Sequence, residues 1–425
     1  MNERMTLTLS NTLVIELHER EARVFPRSSL YDLSGNSLLL PEARALSAID
    51  LRDVESGVEL RVLGVIGYLP ITNNLVLHLK PKFPLENLWK MLEFADEKYE
   101  RILPVLRVYE KSEGIAPHQF LLKAFCHYIR GLLTKGVARE YDQKSYRGYF
   151  KPKVNFGKTI SHYLSRGDEV NTESSVFTFT NNTYINGVLK SACLAFLKIT
   201  PLSLKWRVER NLILDILNSL DMVTIRGMQQ GDQEKIFSLP MWLRDDYQGA
   251  LTVYSIFIGH AKVCFSYGEI GSLMPSFLFS MDFIFESYIR NFIKKSLFTY
   301  NISVHDGNES KYQEKLFKDN RRFIIKPDII FKKNKKTIAI GEVKYKPKIN
   351  EGDRYQLISH VVASGAPIGF WISPAIDDSV GLEYVGEIST GVKLYHYKIN
   401  INSDIYSASE LMVNEIITII DSDAK

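Results

Sequence analysis

The chain has 425 residues, 45% of them hydrophobic and 24% charged, with a formal net charge of +4 at pH 7. That length exceeds one ordinary domain and fits two or three, while the composition excludes a disordered polar arm and a histone-like polycation, so any nucleic-acid surface must come from local clustering of charge. Three cysteines, Cys126, Cys193 and Cys264, lie far apart without a C-x-x-C pair, which argues against a zinc ribbon or a disulfide framework and for a reducing compartment.

The N-terminal stretch MNERMTLTLSNT lacks a basic flank followed by an apolar core, so no signal peptide is expected. No segment reaches the roughly 18 uninterrupted apolar residues of a membrane span; LTVYSIFIGHAKVCF is broken by His260 and Lys262. The expected location is the cytoplasm, with no membrane contact. LTLSNTLVIEL, VELRVLGVIGYLPI and NLVLHLKPKF carry apolar residues with period two between turns marked by Gly, Asn and Pro, which predicts strands to about residue 85 and a β-rich N-terminal domain over 1–110. At PLENLWKMLEFADEKYERIL the period changes, and Leu85, Leu88, Trp89 and Leu92 fall on one helical face. HQFLLKAFCHYIRGLLTKGV repeats the helical pattern, with Gly131 and Gly136 marking its end.

A mainly helical middle domain is therefore expected over 111–275. Inside it, residues 139–182 are polar, basic at the start and punctuated by Gly and Pro, which predicts an extended arm rather than a helix. Two readings of the arm stand side by side. One is a surface loop with a short hairpin; the other is a contact arm for a partner or nucleic acid, using Arg139, Lys144, Arg147, Lys151 and Lys153 interleaved with Tyr141, Tyr146, Tyr149 and Phe150. Regular helix resumes at NTYINGVLKSACLAFLKI.

Residues 276–425 read as an α/β unit. SFLFSMDFIFESYIRNFIKKSLFTY predicts an amphipathic helix, FIIKPDII and TIAIGEVKYK two strands joined by the turn KKNKK, DRYQLISHVVAS a helix and PIGFWISP a strand, with short strands such as GVKLYHYKI closing the chain. The whole is thus expected to be a multidomain α+β protein. Residues two apart on a strand share a face, so Glu342 and Lys344 project together, and the turn brings Asp328 alongside. Two carboxylates side by side repel unless a cation lies between them, and hard oxygen donors with open water positions suit Mg²⁺. The competing reading is a solvated charged hairpin. Context favours the site: both carboxylates sit in apolar runs, and Gly341 removes bulk beside Glu342.

Glu286, in FIFESYI, is a candidate contributor to the metal site or the partner of Arg290 four residues on. Gln356 is a candidate for positioning a phosphate or water, or an ordinary helix-surface amide. From Lys311 to Lys348 the chain has 13 basic and 4 acidic residues, a surplus that attracts phosphate-bearing substrates; Lys326, Lys346 and Arg354 are the expected DNA contacts. The GKT at 157–159 is no phosphate-binding loop, because the first glycine of G-x-x-x-x-G-K-[ST] falls at Pro152. The chain has no visible nucleotide site of its own.

The KPDII…AIGEVKYK core with DRYQL behind it resembles the PD-(D/E)xK nuclease superfamily. The ordered blocks LHLKPKFPLENLWKMLEFA, RGLLTKGVAREYDQKSYRGYFKPKVNF, TNNTYINGVLKSACLAFL and FIFESYI extend this, over about residues 60 to 400, to a resemblance to the McrC family of McrBC-type modification-dependent restriction systems. The resemblance implies a C-terminal nuclease domain in which Asp328 and Glu342 bind Mg²⁺, Lys344 is the catalytic lysine and Gln356 an accessory residue. It also implies a cleaved double-stranded, modified DNA and a hexameric AAA+ GTPase partner of the McrB type, docked through the N-terminal and middle regions. Within those regions Arg139, Arg147, Lys151 and Lys153 are the expected contacts. A different class of function stays open: a non-catalytic activator and scaffold of a partner NTPase, with a nuclease-like domain that only binds DNA.

Overall fold

The computed structural model describes residues 13–40, 43, 48–95, 117–148, 150–200, 202–229, 235–260, 263–267, 272–317, 322–346, 348–375 and 379–422. The expectations for the first twelve residues, for the end of the helix begun at Leu85, and for Tyr149 lie outside them. The chain divides into two compact units, one drawn from Met1–Pro104, His260–Phe265 and Pro275–Lys425, the other from Val105–Gly259 and Ser266–Met274.

In the first unit the period-two stretches form β1 (Leu13–His18), β2 (Ala22–Phe25), β3 (Ile49–Val54), β4 (Gly57–Val62), β5 (Val65–Thr72) and β6 (Leu75–Lys80). Strands β2, β4 and β3 make an antiparallel sheet in that order, while β1 runs parallel to β6, which folds back on β5. Alternation places Leu17, Phe25, Leu60, Leu69 and Leu77 in one shared core, the burial that holds the two sheets together. Helix α1 (Leu85–Ala95) buries Leu88, Trp89, Met91 and Leu92, whereas Leu85 stays 40% exposed.

The first described element of the second unit is α2 (Pro117–Lys135). Gly136 follows its end with φ +85° and is the stop, but Gly131, expected to mark the end too, lies inside the helix. A Cβ there would lie 2.3 Å from Asp246 Oδ1, so this glycine serves close packing against a neighbouring helix. The segment 139–182 is β7 (Glu140–Arg147), β8 (Lys153–Val154), a short helix α3 (Phe156–His162) and β9 (Glu173–Thr180), with sheet order β7-β9-β8. The extended reading holds for the strands and fails at α3, which Asn155 starts by accepting from Lys158 N at 3.1 Å. Helices α4 (Tyr184–Ile199), α5 (Arg207–Ser219) and α6 (Met241–His260) follow. Fully buried Asn186 donates to the carbonyls of Ala138 (2.8 Å) and Asn181 (2.6 Å) and accepts from Tyr247.

Strands β10 (Val263–Tyr267) and β11 (Ser272–Ser280) follow, and β11 pairs antiparallel with β5 to give the order β1-β6-β5-β11-β10. SFLFS is therefore strand, not the start of the expected helix; Ser280 caps α7 (Met281–Leu297) by accepting from Phe283 N at 3.4 Å. Next come β12 (Ser303–His305), the short pair β13 (Glu314–Lys315) and β14 (Ile324–Ile325), β15 (Ile329–Lys333), β16 (Lys336–Val343), α8 (Glu351–Ser364), β17 (Ile368–Pro374), β18 (Gly381–Glu387) and β19 (Lys393–Ile399). A six-stranded mixed sheet runs β12-β15-β16-β17-β19-β18. Strand β15 pairs antiparallel with β16, and α8 provides the crossover to parallel β17. The chain's last described element is a helix not expected from the sequence, α9 (Ile405–Ser422), which buries Ile405, Met412, Ile416 and Ile420. Among the described residues no helix is long and apolar enough to cross a membrane.

Helix α1 belongs with the C-terminal half through one buried amide. Asn87 donates to Ile401 O (2.8 Å) and Ser403 O (2.6 Å) and accepts from Ile405 N (3.4 Å). Asn87→Ala leaves these groups unpartnered and is expected to lower stability by about 2 kcal/mol in urea unfolding; an unchanged midpoint would contradict this role.

Candidate active site

The sequence brings Asp328 and Glu342 together through a tight antiparallel hairpin. Lys333 pairs with Lys336, and the two residues between, Asn334 and Lys335, have φ of +50° and +67°, the twist that a two-residue turn between strands requires. Going back along the strands, Ile329 pairs with Gly341. A Cβ at Gly341 would sit 3.2 Å from Ile329 Cβ, so the glycine lets β15 lie close beside β16 next to the carboxylates. Strand β16 is central, with β15 on one side and β17 on the other, which is why Glu342 is fully buried and Asp328 is 7% exposed.

Three charged groups then converge. Lys344 Nζ lies 3.1 Å from Glu342 Oε2 and 3.5 Å from Asp328 Oδ2, and Val343 N donates to Asp328 Oδ2 at 2.8 Å. Burial, followed by the charges of Glu342 and Glu286, pushes the Asp328 carboxyl up to about 8. Burial alone would lower the Lys344 ammonium, but the attraction of Asp328 and Glu342 outweighs it and the net shift is upward.

Glu286 on α7 takes the second of its readings, the partner of Arg290 four residues on. Arg290 binds it at 2.7 Å, and its charge still reaches Asp328. The same guanidinium contacts Asp306 (3.1 Å) and the carbonyl of Asp328 (3.4 Å), tying α7 to the site.

Helix α8 contributes a residue that was not among the sequence candidates. His360 Nδ1 lies 2.6 Å from Glu342 Oε1 and the ring is 8% exposed, so it fixes one carboxylate oxygen while Lys344 takes the other. DRYQLISH held the signal, since Asp353, Leu357 and His360 share the buried helix face. Gln356 is half-buried on that helix, one turn before His360. Lys346, an expected DNA contact, is held by Asp353 at 2.5 Å, whereas Lys326 and Arg354 are exposed.

The other predicted cations belong to the second unit and are a separate group. Arg139 and Lys153 lie over the rings of Phe179 (5.8 Å) and Phe177 (5.4 Å), Lys151 lies over Tyr146 (5.3 Å), and Arg147 pairs with Glu173 at 3.1 Å. Strand β7 is exposed along nearly all its length, with Tyr141, Phe177 and Phe179 from 51% to 72% exposed.

Among the described residues no three His, Cys, Asp or Glu side chains are gathered as a ready metal cage. Two buried carboxylates fit Mg²⁺ nevertheless, because that ion is commonly held by one or two carboxylates and keeps several waters or substrate oxygens. Burial first, and then repulsion from Glu342, raises Asp328, and a divalent cation relieves the second of these.

The chain belongs to the McrBC 5-methylcytosine restriction system component family, whose model matches residues 60–372, well over half its length. Among solved structures, the refined half-complex from the tetradecameric assembly of Thermococcus gammatolerans McrB AAA+ hexamers with bound McrC contains a chain similar to this one, with a TM-score of 0.61 at 14% identity, covering 96% of this chain and 100% of that one. The cryo-EM structure of the Thermococcus gammatolerans McrBC complex gives a TM-score of 0.44 at 16% identity, covering 67% and 88%. At these identities the first likeness is one of fold. No curated protein matches the sequence.

Because the folded-state value of Asp328 lies above the ordinary 3.8, its ionisation disfavours the fold: its stabilising share is complete below about pH 4 and is lost as the pH rises toward 8. In metal-free buffer Asp328→Asn is expected to raise stability by roughly 1–3 kcal/mol at pH 8 and by much less at pH 4. Urea unfolding at the two pH values checks this, and equal shifts at both would contradict it.

Proposed function

We propose that the chain is the nuclease subunit of a McrBC-type restriction system, a Mg²⁺-dependent endonuclease of double-stranded, modified DNA with a PD-(D/E)xK site. The observation that carries the reading is the convergence of Asp328, Glu342 and Lys344 at the ends of two paired strands. Asp328 and Glu342 are the residues that would hold the cation, and Glu286, whose charge reaches Asp328, is the third candidate. The chemistry that Mg²⁺ supplies when bound is Lewis-acid stabilisation of the charge developing on the phosphodiester.

The remaining work falls to the chain. His360 fixes Glu342 Oε1 and leaves Oε2 toward the reacting centre. The Lys344 ammonium orients the attacking water and offsets transition-state charge. Gln356 is the accessory group on α8, and exposed Lys326 and Arg354, with Lys346, meet the DNA backbone. The basic surplus between Lys311 and Lys348 supports a polyanionic substrate.

The partner we assign is a hexameric AAA+ GTPase of the McrB type. Family membership and the McrB hexamers named with the similar Thermococcus gammatolerans chain support this assignment. Exposed β7, with the exposed Phe177 and Phe179 of β9 and with Arg139, Arg147, Lys151 and Lys153, is the contact arm of this reading.

Plasmid DNA, unmodified and cytosine-methylated, offered with the partner, Mg²⁺ and GTP or ATP tests the proposal. Cutting by the wild type is expected to fall by about 10²-fold or more in Asp328→Ala and in Lys344→Ala. Equal stimulation of the partner's hydrolysis by wild type and Asp328→Ala, with no DNA cut by either, would overturn the nuclease reading in favour of the scaffold. Separately, the double change Arg139→Glu, Lys153→Glu is expected to weaken partner binding by tenfold or more, on the order of 1.4 kcal/mol; unchanged binding in analytical ultracentrifugation would remove the arm from the interface.

A further inference from the structure

The turn between β1 and β2 reaches the backbone that carries Lys344, although about 325 residues separate them in sequence. Arg20 adopts φ +57°, a conformation unusual for a residue with a side chain. Its Nη2 donates to Asp282 Oδ1 at 2.9 Å and to the carbonyl of Tyr345 at 2.5 Å. The preceding residue, Glu19, is 1% exposed and accepts from Tyr345 Oη at 2.7 Å and from Lys82 N at 3.1 Å. Two consecutive residues of one turn thus hold both the ring and the carbonyl of Tyr345. Gly64 makes room for this: a Cβ there would lie 2.6 Å from Asp282 Oδ2 and 2.9 Å from Arg20 Nη2.

Tyr345 is the first residue after Lys344, at the point where β16 has ended. Lys344 N still donates to Ile372 O at 2.9 Å, and Lys346 N turns back to donate to Lys344 O at 2.8 Å. Beyond the Lys344 N–H the strand ladder no longer fixes the chain, and the Tyr345 carbonyl is held by Arg20 instead. An ammonium on a long side chain needs a fixed root if it is to act on one reacting atom, because a misplacement of about 1 Å costs roughly 10²-fold in rate.

We propose that Arg20 is a positioning residue for Lys344, acting through the carbonyl of Tyr345, so that the N-terminal β region sets the geometry of the reacting centre. The inference rests on the nuclease reading for its effect on rate, and on the fold alone for its effect on the backbone. A simple staple between α7 and the N-terminal turn makes a different prediction. If the Arg20–Asp282 pair matters only as a tether, breaking it from either end has the same effect. If Arg20 acts through Tyr345, its loss is far the more severe, since Asp282→Asn leaves the bond to the carbonyl in place.

The experiment uses the full chain with its AAA+ partner and compares wild type, Arg20→Ala, Arg20→Lys and Asp282→Asn. Hydrogen exchange followed by mass spectrometry reads the backbone without any turnover. Arg20→Ala is expected to speed exchange in peptides covering 344–346 by tenfold or more while those covering β17 stay as in wild type. In DNA cleavage Arg20→Ala is expected to lower kcat by tenfold or more with KM within about twofold. Arg20→Lys, which can still donate to the carbonyl, restores part of the rate, and Asp282→Asn remains within about threefold of wild type. Equal losses in Arg20→Ala and Asp282→Asn, or wild-type exchange at 344–346 in Arg20→Ala, would overturn the proposal. Should Arg20→Ala unfold outright, Arg20→Lys takes its place: a milder kcat-selective loss supports the proposal, and wild-type kcat overturns it. A wild type that cuts no DNA removes the nuclease reading, and the exchange data alone then decide whether Arg20 holds this backbone.

Discussion

The ammonium of Lys344 between Glu342 and Asp328 is the contact around which the C-terminal half is arranged. Two carboxylates cannot be buried side by side without positive charge nearby, and each unpaired ion would cost several kcal/mol. Lys344 supplies that charge only because it follows Glu342 by two positions on the same strand face. The requirement extends outward: His360 takes the second oxygen of Glu342, and Arg290 binds Glu286, Asp306 and the Asp328 carbonyl at once. Three elements, β16, α7 and α8, are therefore registered by charge as well as by apolar packing. Burial first, and then the charges of Glu342 and Glu286, raises the proton affinity of Asp328, the kind of perturbation that marks a candidate functional site.

Apolar packing and polar staples explain why the N-terminal region shares a unit with this sheet. Strand β11 enters the N-terminal sheet beside β5 and runs through Ser280 straight into α7. Asn87 ties α1 to the chain between β19 and α9, while Phe94, Tyr288, Phe292 and Tyr406 form an aromatic cluster with centroids 5.3 to 6.4 Å apart. The turn at Glu19 and Arg20 adds contacts to Tyr345, the neighbour of Lys344. Motion of the N-terminal strands and geometry at Lys344 are thereby physically connected.

The hairpin that carries the site was readable from sequence because its information is local. Apolar alternation sets the strands, KKNKK sets the turn, and period two sets which side chains converge. The pairing of Glu286 with Arg290 was readable for the same reason, at a helical spacing of four. What escaped depended on distant partners. Nothing near Arg20 announces Tyr345, and SFLFS reads as helix until its pairing with Val65–Tyr68 is known. The glycine at 131 resembles a helix stop until Asp246 is seen beside it. His360 is an intermediate case: the buried face of α8 was visible in the sequence, but its acceptor lies across on β16. The C-terminal helix α9 carries its signal in the spacing of Ile405, Met412, Ile416 and Ile420.

Whether Asp328 and Glu342 form one cation site is the question on which the proposed nuclease function turns. Binding of Mn²⁺, as a paramagnetic substitute for Mg²⁺, can be followed by water proton relaxation on the full chain, wild type against Glu342→Gln. The shared carboxylate pair predicts a site in the wild type that is weakened tenfold or more, on the order of 1.4 kcal/mol, in the variant. Binding of equal strength in both proteins, or none in the wild type with DNA present, would contradict it.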